Sequence, residues 1–327
     1  MNNNLTIVIP TYKYSKYLDI AIASCLKLKY VDASIFVNIN SKDQSFKNST
    51  YWNNINVHWR YIDSPTIYMH ESFNDAIRHS KGDWIFILSD DDIIEENILK
   101  GYDLSTKSSY DLYAIHLRII DIHGEEIKKI KLSKKVEYSS EEAINLFFNK
   151  EIQHHLSLFI FNRVLFEEVG GFKFGGYPNG YYVDSIVFGK FLANCNSVYF
   201  SQQVDFSRRE SQFQGSSKIY YDTSVNSYFD IIIDELFNDE NYSSKALAKF
   251  GTKKGNYRFE IQHRFDIDFY KFFYPIYNAG IKDKIKFIYS FLFFWDTGII
   301  FKIRCLTYRI VIMYLRIKIN KLIKWSN

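Results

Sequence analysis

The chain has 327 residues, 47% of them hydrophobic and 24% charged, which indicates one large globular domain with an appendage, and its few prolines and glycines exclude long disordered linkers. Three well-separated cysteines, Cys25, Cys195 and Cys305, exclude a disulfide framework, so we expect a reducing compartment. The opening Met-Asn-Asn-Asn lacks the pattern of a signal peptide, so we expect a cytoplasmic protein.

The N-terminal part alternates apolar runs with helical patterns. Apolar runs predict four strands, at residues 5–9, 33–39, 57–62 and 84–88. Helical spacing predicts one helix after the first strand, one that carries Phe73, Ala76 and Ile77, and one at residues 94–106. Gly82 fits the left-handed position that ends the second of these helices. The alternation implies an α/β fold with a parallel sheet, in which ligands bind beyond the carboxyl ends of the strands.

The pattern changes in the second part of the chain. Residues 110–120 and 126–132 predict a hairpin, and Ser139 and Glu142 have the spacing of a capping box that opens a helix. Further strands are predicted at residues 156–161, 198–201 and 204–208, and a helix at residues 184–193. Residues 166–172 predict the end of a helix that the paired glycines terminate. From residue 227 onward the pattern is mostly helical. We therefore expect one domain at residues 1–220 and a helical C-terminal region at residues 221–327.

Three carboxylates stand side by side at the end of the fourth predicted strand: Asp90, Asp91 and Asp92. Neighbouring like charges repel, and burying an unpaired carboxylate is costly. One aspartate could cap the following helix, but three exceed what capping uses. Mg²⁺ and Mn²⁺ take oxygen ligands, commonly one or two carboxylates with substrate phosphates, so the cluster indicates a divalent-cation site.

Two segments carry a resemblance to a known family. The stretch Leu5-Thr-Ile-Val-Ile-Pro-Thr-Tyr12 and the stretch Lys81-Gly-Asp-Trp-Ile-Phe-Ile-Leu-Ser-Asp-Asp-Asp92 resemble the family-2 glycosyltransferases of the GT-A fold, a Rossmann-like α/β architecture with a mostly parallel sheet. The resemblance covers about residues 4–215. It implies a nucleotide-sugar donor and a metal ion, Mn²⁺ or Mg²⁺, held by an acidic motif.

The resemblance also implies roles for individual residues. The residues expected to bind the donor are Pro10, Thr11, Tyr12, Asn38, Asn74, Asp90 and Arg208. Within this set Asp90 would contact the ribose. Asp91 would bind the metal, with Glu210 as a further candidate ligand, and Asp92 would be either another ligand or a structural residue behind the metal site.

A third segment suggests the catalytic base. Val169-Gly-Gly-Phe172 followed by Tyr182-Val-Asp184 resembles the family segment that ends in the general base. The resemblance implies that Asp184 takes the proton from the acceptor hydroxyl in an inverting displacement. The alternative is that Asp184 caps a helix. Val183 stands where the family usually has another acidic residue.

Two further positions depart from the family pattern. Asn38 replaces an aspartate that helps to hold the nucleobase, and an amide donates as well as accepts hydrogen bonds. Arg208 matches an arginine of the family, whereas Glu210 replaces a histidine. Glu210 is therefore a candidate oxygen ligand, and Arg208 and Arg209 are candidate partners of the diphosphate. A charged surface strand is the alternative.

The pair His154-His155 invites a metal or catalytic interpretation. Adjacent residues of a strand face opposite ways, so the two are not expected to bind one ion together. One of them could face the acceptor cleft, and a surface or core histidine is the alternative.

The C-terminal tail is basic. Residues 282–327 hold ten basic and two acidic residues, a net charge of +8 in a chain whose total is +4. Its longest uncharged run, residues 287–295, is too short to span a bilayer. Apolar residues at helical spacing beside the basic ones favour an amphipathic helix on an anionic membrane surface. A helical subdomain with a basic outer face is the alternative, and no motif indicates a nucleic-acid partner.

Together these features predict a metal-dependent glycosyltransferase that is peripheral on the inner face of the cell membrane. The donor would be a UDP-, GDP- or dTDP-linked sugar. The resemblance to bacterial relatives implies a lipid-linked oligosaccharide acceptor and a role in O-antigen or capsule-type polysaccharide synthesis. The alternative is a non-catalytic or differently reacting nucleotide-sugar-binding protein at the membrane surface, because Asn38 and Val183 depart from the pattern. A membrane scaffold would leave residues 90–92 without a role.

Overall fold

The computed structural model describes residues 4–66, 68–128, 135–148, 155–173, 183–210, 235–236 and 238–244. The strands in these ranges are β1 Leu5–Thr11, β2 Ala33–Ile39, β3 Val57–Tyr61, β4 Trp84–Ile87, β5 Ile93–Ile94, β6 Leu112–Ala114, β7 Leu117–Ile120, β8 Glu126–Lys128, β9 Glu137–Ser139, β10 Phe159–Asn162, β11 Ser197–Phe200 and β12 Phe206–Arg209. The helices are α1 Lys16–Cys25, α2 Met69–His79, α3 Ser140–Phe148, α4 Arg163–Glu168 and α5 Val183–Asn194.

Within the described residues the larger sheet has eight strands in the order β3-β2-β1-β4-β10-β6-β11-β9. The first four are parallel to one another, which confirms the prediction of an α/β fold. Val8 of β1 pairs with Ile87 of β4, and Pro10 pairs with Asn38 of β2. This register brings the carboxyl ends of β1, β2 and β4 to the same edge of the sheet.

A smaller sheet has the order β5-β12-β7-β8. The hairpin predicted around residues 121–124 is confirmed, since β7 and β8 pair in antiparallel fashion. The helix predicted at residues 94–106 is wrong. There, Ile94 pairs with Phe206 of β12, and the Glu95 amide donates to the Asp205 carbonyl at 2.8 Å. A strand partner more than a hundred residues away overrides the local helical spacing.

The core lies between the parallel strands and the helices that cover them. On one face Ile7, Val37 and Phe86 pack with Leu18 and Ile22 of α1, each of them at most 1% exposed. Burying each of these apolar side chains stabilises the fold by roughly 1.5–3 kcal/mol. The predicted apolar face of α2 is confirmed, because its residues Phe73, Ala76 and Ile77 are all buried.

The end of α2 differs from the prediction. Gly82 does not have a positive φ angle, so it is not a left-handed cap. It is needed for space, because a Cβ atom there would lie 2.5 Å from Oγ1 of Thr6. The last carbonyls of α2 are satisfied by Arg163 instead, whose guanidinium donates to the carbonyls of Ile77 at 2.6 Å and Ser80 at 2.9 Å. A cation from α4 thus completes the C-terminus of α2.

Two local signals are confirmed. The Ser139 amide donates to the Glu142 carboxylate at 2.9 Å and the Glu142 amide to the Ser139 hydroxyl at 3.3 Å, the two bonds of a capping box. Gly170 and Gly171 have φ angles of 82° and 66° and end α4. The predicted helix at residues 184–193 agrees with α5 within one residue at each end.

Other expectations concern residues beyond these ranges. The predicted boundary at residue 220, the amphipathic tail, His154 and Cys305 lie outside the described residues. The described cysteines, Cys25 and Cys195, are buried and unbridged. In the part of the chain that the structure describes, no helix has the length and apolarity needed to cross a bilayer.

Candidate active site at the carboxyl edge of the sheet

The Asp90–Asp92 segment directly follows β4, beside the end of β1. The Leu88 amide donates to the Val8 carbonyl at 2.9 Å, which extends the pairing of the two strands up to the cluster. At the end of β1 the Thr11 hydroxyl donates to the Asp90 carboxylate at 2.5 Å. Two of the predicted donor-binding residues are therefore in direct contact. Tyr12 follows with 69% of its surface exposed, and Pro10 is half-buried.

Asp90 is a half-buried carboxylate without a cationic partner among the described residues. Burial raises the pKa of its carboxyl group to about 6, and the charge of Asp91 acts in the same direction. The hydrogen bond from Thr11 opposes the shift. A bound cation would stabilise the ionised form of a carboxyl group whose pKa is raised in this way.

Asp92 points into the protein. It is 1% exposed, and its Oδ1 accepts the backbone amide of Arg209 at 2.7 Å. Burial, and then the charge of Asp91, raise its pKa well above the usual range, whereas the Arg209 amide, the Arg208 cation and the Ser89 hydroxyl lower it. The carboxylate of Asp92 therefore joins β12 to the loop after β4, which corresponds to the structural role that the sequence left open for it.

The two arginines of β12 face different surroundings. Arg209 is 3% exposed, and its guanidinium donates to the carbonyls of Asp91 and Asp121 at 3.0 Å and lies 4.7 Å from the Tyr17 ring centre. The Arg208 side chain is 29% exposed and lies 3.5 Å from the Glu210 carboxylate. Its Nε is buried and has no hydrogen-bond partner within the described part of the chain. Arg208 is thus a partly exposed cation close to Asp92, and a cation of this kind is what a diphosphate ligand requires.

His155 lies behind this cluster. Its Nδ1 accepts the Ser157 amide at 3.1 Å, and its Nε2 lies 3.7 Å from Oδ2 of Asp92. Burial, and next the Arg208 cation, lower the pKa of His155 to about 3, so the ring is neutral. Of the two alternatives, a surface or a core histidine, its largely buried side chain agrees with the second. The contact of His155 with Asp92 was not predicted from the sequence.

Asn38 belongs to a second cluster at the ends of β2 and β3. It is fully buried, and its amide group donates to the Asp75 carboxylate at 3.1 Å. Arg60 donates to the Asn38 oxygen at 3.1 Å and to the Asp75 carboxylate at 2.6 Å. The predicted contact of Asn38 with a nucleobase stays a prediction. Arg60 and Asp75 were missed, because no short motif links a strand residue with a residue on the following helix.

Asn74 ties α2 to the segment that contains Gly170 and Gly171. Its amide group donates to the Phe172 carbonyl at 2.7 Å, and its oxygen accepts the Phe172 amide at 2.9 Å. Asn74 therefore fixes the position of Phe172 beside α2. Asp184 is the second residue of α5 and is partly exposed, and its role as a base stays a prediction.

The donor set for a metal ion is small. In the described ranges no group of three or more histidine, cysteine, aspartate or glutamate residues is arranged to hold a metal. Asp92 is engaged by the Arg209 amide, and Glu210 is 53% exposed beside Arg208, which leaves Asp90 and Asp91 at the partly exposed side of the loop. These residues fit a Mg²⁺ or Mn²⁺ ion that takes one or two carboxylates and completes its shell with substrate oxygens.

Comparisons with known proteins identify the family and the fold. A family model described as glycosyl transferase family 2 matches residues 6–170. Crystal structures of residues 1–349 of S. aureus TarS are similar: the unliganded form is 14% identical, with 80% of this chain and 71% of that chain covered and a TM-score of 0.56. The complex with UDP-GlcNAc is 16% identical, with 74% and 69% covered and a TM-score of 0.57.

The complex of the same protein with UDP is 16% identical, with 74% and 68% covered and a TM-score of 0.53. A comparison with the curated proteins found no match. At these identities the structural likeness shows the fold, which is the GT-A fold. The family model spans about half of the chain and includes β1 and the Asp90–Asp92 segment, so the chain belongs to glycosyl transferase family 2.

Proposed function

We propose that the protein transfers a sugar from a nucleoside-diphosphate donor to a saccharide acceptor. The observation that carries the proposal is the pair of half-buried carboxylates, Asp90 and Asp91, at the carboxyl edge of a parallel sheet, with the partly exposed cation of Arg208 near the neighbouring Asp92. Such a site attracts a cation and a diphosphate together. The TarS structures with UDP-GlcNAc and UDP support a donor of this class.

Each residue has a defined task in the proposed reaction. Asp91 would hold a Mg²⁺ or Mn²⁺ ion, which when bound would neutralise charge on the diphosphate. Asp90 would bind the donor ribose, and Arg208 would stabilise the negative charge that grows on the leaving nucleoside diphosphate. Asp184 would accept the proton of the acceptor hydroxyl as its oxygen attacks the anomeric carbon. A single displacement of this kind inverts the configuration at that carbon.

The acceptor is proposed to be a lipid-linked oligosaccharide of a surface polysaccharide such as O-antigen or capsule. The support is the composition of residues 282–327, whose net charge of +8 suits an anionic membrane surface. Peripheral association with the inner face of the membrane follows from the same charge. Pelleting of the full chain with anionic but not with neutral vesicles is the expected result.

A second candidate function is nucleotide-sugar binding without transfer. Asn38 favours it, because this residue is fully buried and its amide is engaged by Arg60 and Asp75. A site that binds donor without Asp184 acting as base would hydrolyse no sugar nucleotide.

The test is a panel of UDP-, GDP- and dTDP-linked sugars, with each donor incubated with the full chain and Mn²⁺. Slow hydrolysis of one donor, abolished by EDTA and restored by Mn²⁺, is the expected outcome. Binding of a donor in calorimetry with no hydrolysis or transfer would instead support the second candidate. Turnover that persists unchanged in EDTA would contradict the metal assignment.

A further inference from the structure

Each ring nitrogen of His155 faces a polar group. Nδ1 accepts the Ser157 amide at 3.1 Å, so that His155 caps the short 3-10 turn Leu156–Leu158. Nε2 faces Oδ2 of Asp92 at 3.7 Å, an electrostatic contact longer than a hydrogen bond. The His155 ring also packs on Phe206, with ring centres 5.3 Å apart. The side chain therefore joins the turn before β10 to the loop after β4 and to β12.

The contact with Ser157 decides which nitrogen carries the proton. A neutral imidazole has one donor and one acceptor nitrogen, and the acceptor here is Nδ1. The proton therefore lies on Nε2, where its positive end faces the Asp92 carboxylate.

Asp92 connects His155 to β12. Its other oxygen, Oδ1, accepts the Arg209 amide at 2.7 Å, which is the amide next to Arg208 in the strand. Successive residues of a strand point to opposite sides, so holding Arg209 inward holds Arg208 outward. The Arg208 side chain then keeps its partly exposed position beside Glu210, with Nε unused.

We propose that His155 is a positioning residue for Arg208, acting through Asp92 and the backbone of β12. The proposal rests on the proposed function in so far as Arg208 binds the donor diphosphate. His155 itself does not touch the substrate in this assignment. Its task is to keep Asp92 turned inward, so that this carboxylate pins β12 and leaves Asp90 and Asp91 to the metal and the donor.

Two conservative substitutions separate the two contacts of the ring. His155→Asn keeps an acceptor for the Ser157 amide but is too short to reach Asp92. His155→Gln keeps an N–H group that reaches Asp92 but does not cap the turn. If His155 positions Arg208, the Gln variant resembles the wild type and the Asn variant is impaired. If His155 only caps the turn, the order is reversed.

The first measurement is amide hydrogen exchange of Arg209 in the free protein. We expect His155→Asn to accelerate this exchange about 10-fold and His155→Gln to leave it close to the wild type. His70→Asn, at a buried histidine of α2, is the matched control and should leave the Arg209 amide unchanged. The reverse order of the two His155 variants, or wild-type exchange in both, would overturn the proposal.

The second measurement is calorimetric titration with UDP in the presence of Mn²⁺. His155→Asn should weaken UDP binding about 10-fold in the wild-type background and have no further effect when combined with Arg208→Ala. An equal loss in both backgrounds would show that His155 does not act through Arg208. If the wild type bound neither UDP, GDP nor dTDP, the proposed function would fail, and the exchange measurement would still decide the role of His155.

Discussion

Two clusters of charged and amide side chains lie at the carboxyl edge of the larger sheet, and they differ in charge balance. The β4 cluster consists of Asp90, Asp91 and Asp92 with Arg208 and Arg209. The β2 cluster consists of Asn38, Arg60 and Asp75. In the β2 cluster one guanidinium meets one carboxylate at 2.6 Å, and the amide of Asn38 bonds to both. In the β4 cluster three carboxylates meet two guanidinium groups, one of which is turned inward.

This difference separates a structural cluster from a reactive one. In the β2 cluster every charge already has a partner, and each also lies near a further opposite charge: Arg60 at 3.2 Å from Asp63 and Asp75 at 3.9 Å from Arg78. The β4 cluster keeps an excess of negative charge, and burial raises the pKa values of Asp90 and Asp92. A raised carboxyl pKa is typical of functional sites that bind a cation or transfer a proton. The two clusters should therefore respond in opposite ways to substitution.

The largest effect is expected from Asp91→Ala. Loss of the metal ligand should lower the rate of sugar-nucleotide turnover more than about 1,000-fold, or about 4 kcal/mol, with little change in thermal stability. Asp32→Ala is the control, because Asp32 is an exposed acidic residue that is distant from Asp91 in the sequence. The measurement is kcat/KM of each variant and of the wild type with saturating Mn²⁺. Full activity of the Asp91 variant would contradict the assignment of Asp91 as a metal ligand.

Asp75→Ala should act on folding. It leaves the largely buried guanidinium of Arg60 without its closest carboxylate, which we expect to lower the free energy of unfolding by about 3 kcal/mol. Urea denaturation measures this. The double variant Arg60→Met and Asp75→Leu removes both charges and should be less destabilised than Asp75→Ala alone. Equal stability of Asp75→Ala and the wild type would contradict a closed structural cluster.

The two arginines of β12 offer a matched pair. Arg208→Ala should weaken donor binding about 100-fold, close to 2.7 kcal/mol, and leave stability nearly unchanged, because the side chain is partly exposed. Arg209→Ala should mainly lower stability, since it removes bonds to the carbonyls of Asp91 and Asp121. Calorimetry with UDP and Mn²⁺, run beside urea denaturation, compares the two. Identical profiles for both variants would refute their different orientations.

Asp205 is a buried carboxylate to which no metal or donor role is assigned, so its effect on the pH dependence of stability can be measured separately. It is fully buried, one of its oxygens has no hydrogen-bond partner within the described residues, and burial raises its pKa to about 7. Between the unfolded and folded pKa values the folded state holds a proton that the unfolded state has released. The free energy of unfolding therefore falls as the pH rises through this window.

From about pH 5 to about pH 8 we expect the wild type to lose about 2 kcal/mol more than Asp205→Asn, which has no proton to release there. The difference between the two slopes is the quantity to measure by urea denaturation, because the substitution also shifts stability at every pH. Parallel slopes would show that burial of Asp205 does not perturb its titration.

Local signals in the sequence were enough for several elements. The capping box of Ser139 and Glu142, the paired glycines at residues 170–171 and the strand before Asp90 are each set by neighbours in the chain, and the structure confirms them. The metal, donor and base assignments stay predictions. The helix at residues 94–106 was wrong because β5 pairs with β12, a contact that no local periodicity contains.

The sequence by itself determined that an acidic cluster follows a buried strand of a parallel sheet, because apolar runs and their spacing fix strands and their ends. The resemblance assigned roles to Asp91 and Arg208, but the local sequence could not show that Asp92 and Arg209 are the neighbours that are buried. The tertiary structure decided this when β12 paired with β5 and the Arg209 amide met Asp92 at 2.7 Å. Strand pairing assigns each residue to one face, and only that assignment turns one carboxylate and one arginine inward while their neighbours remain at the site.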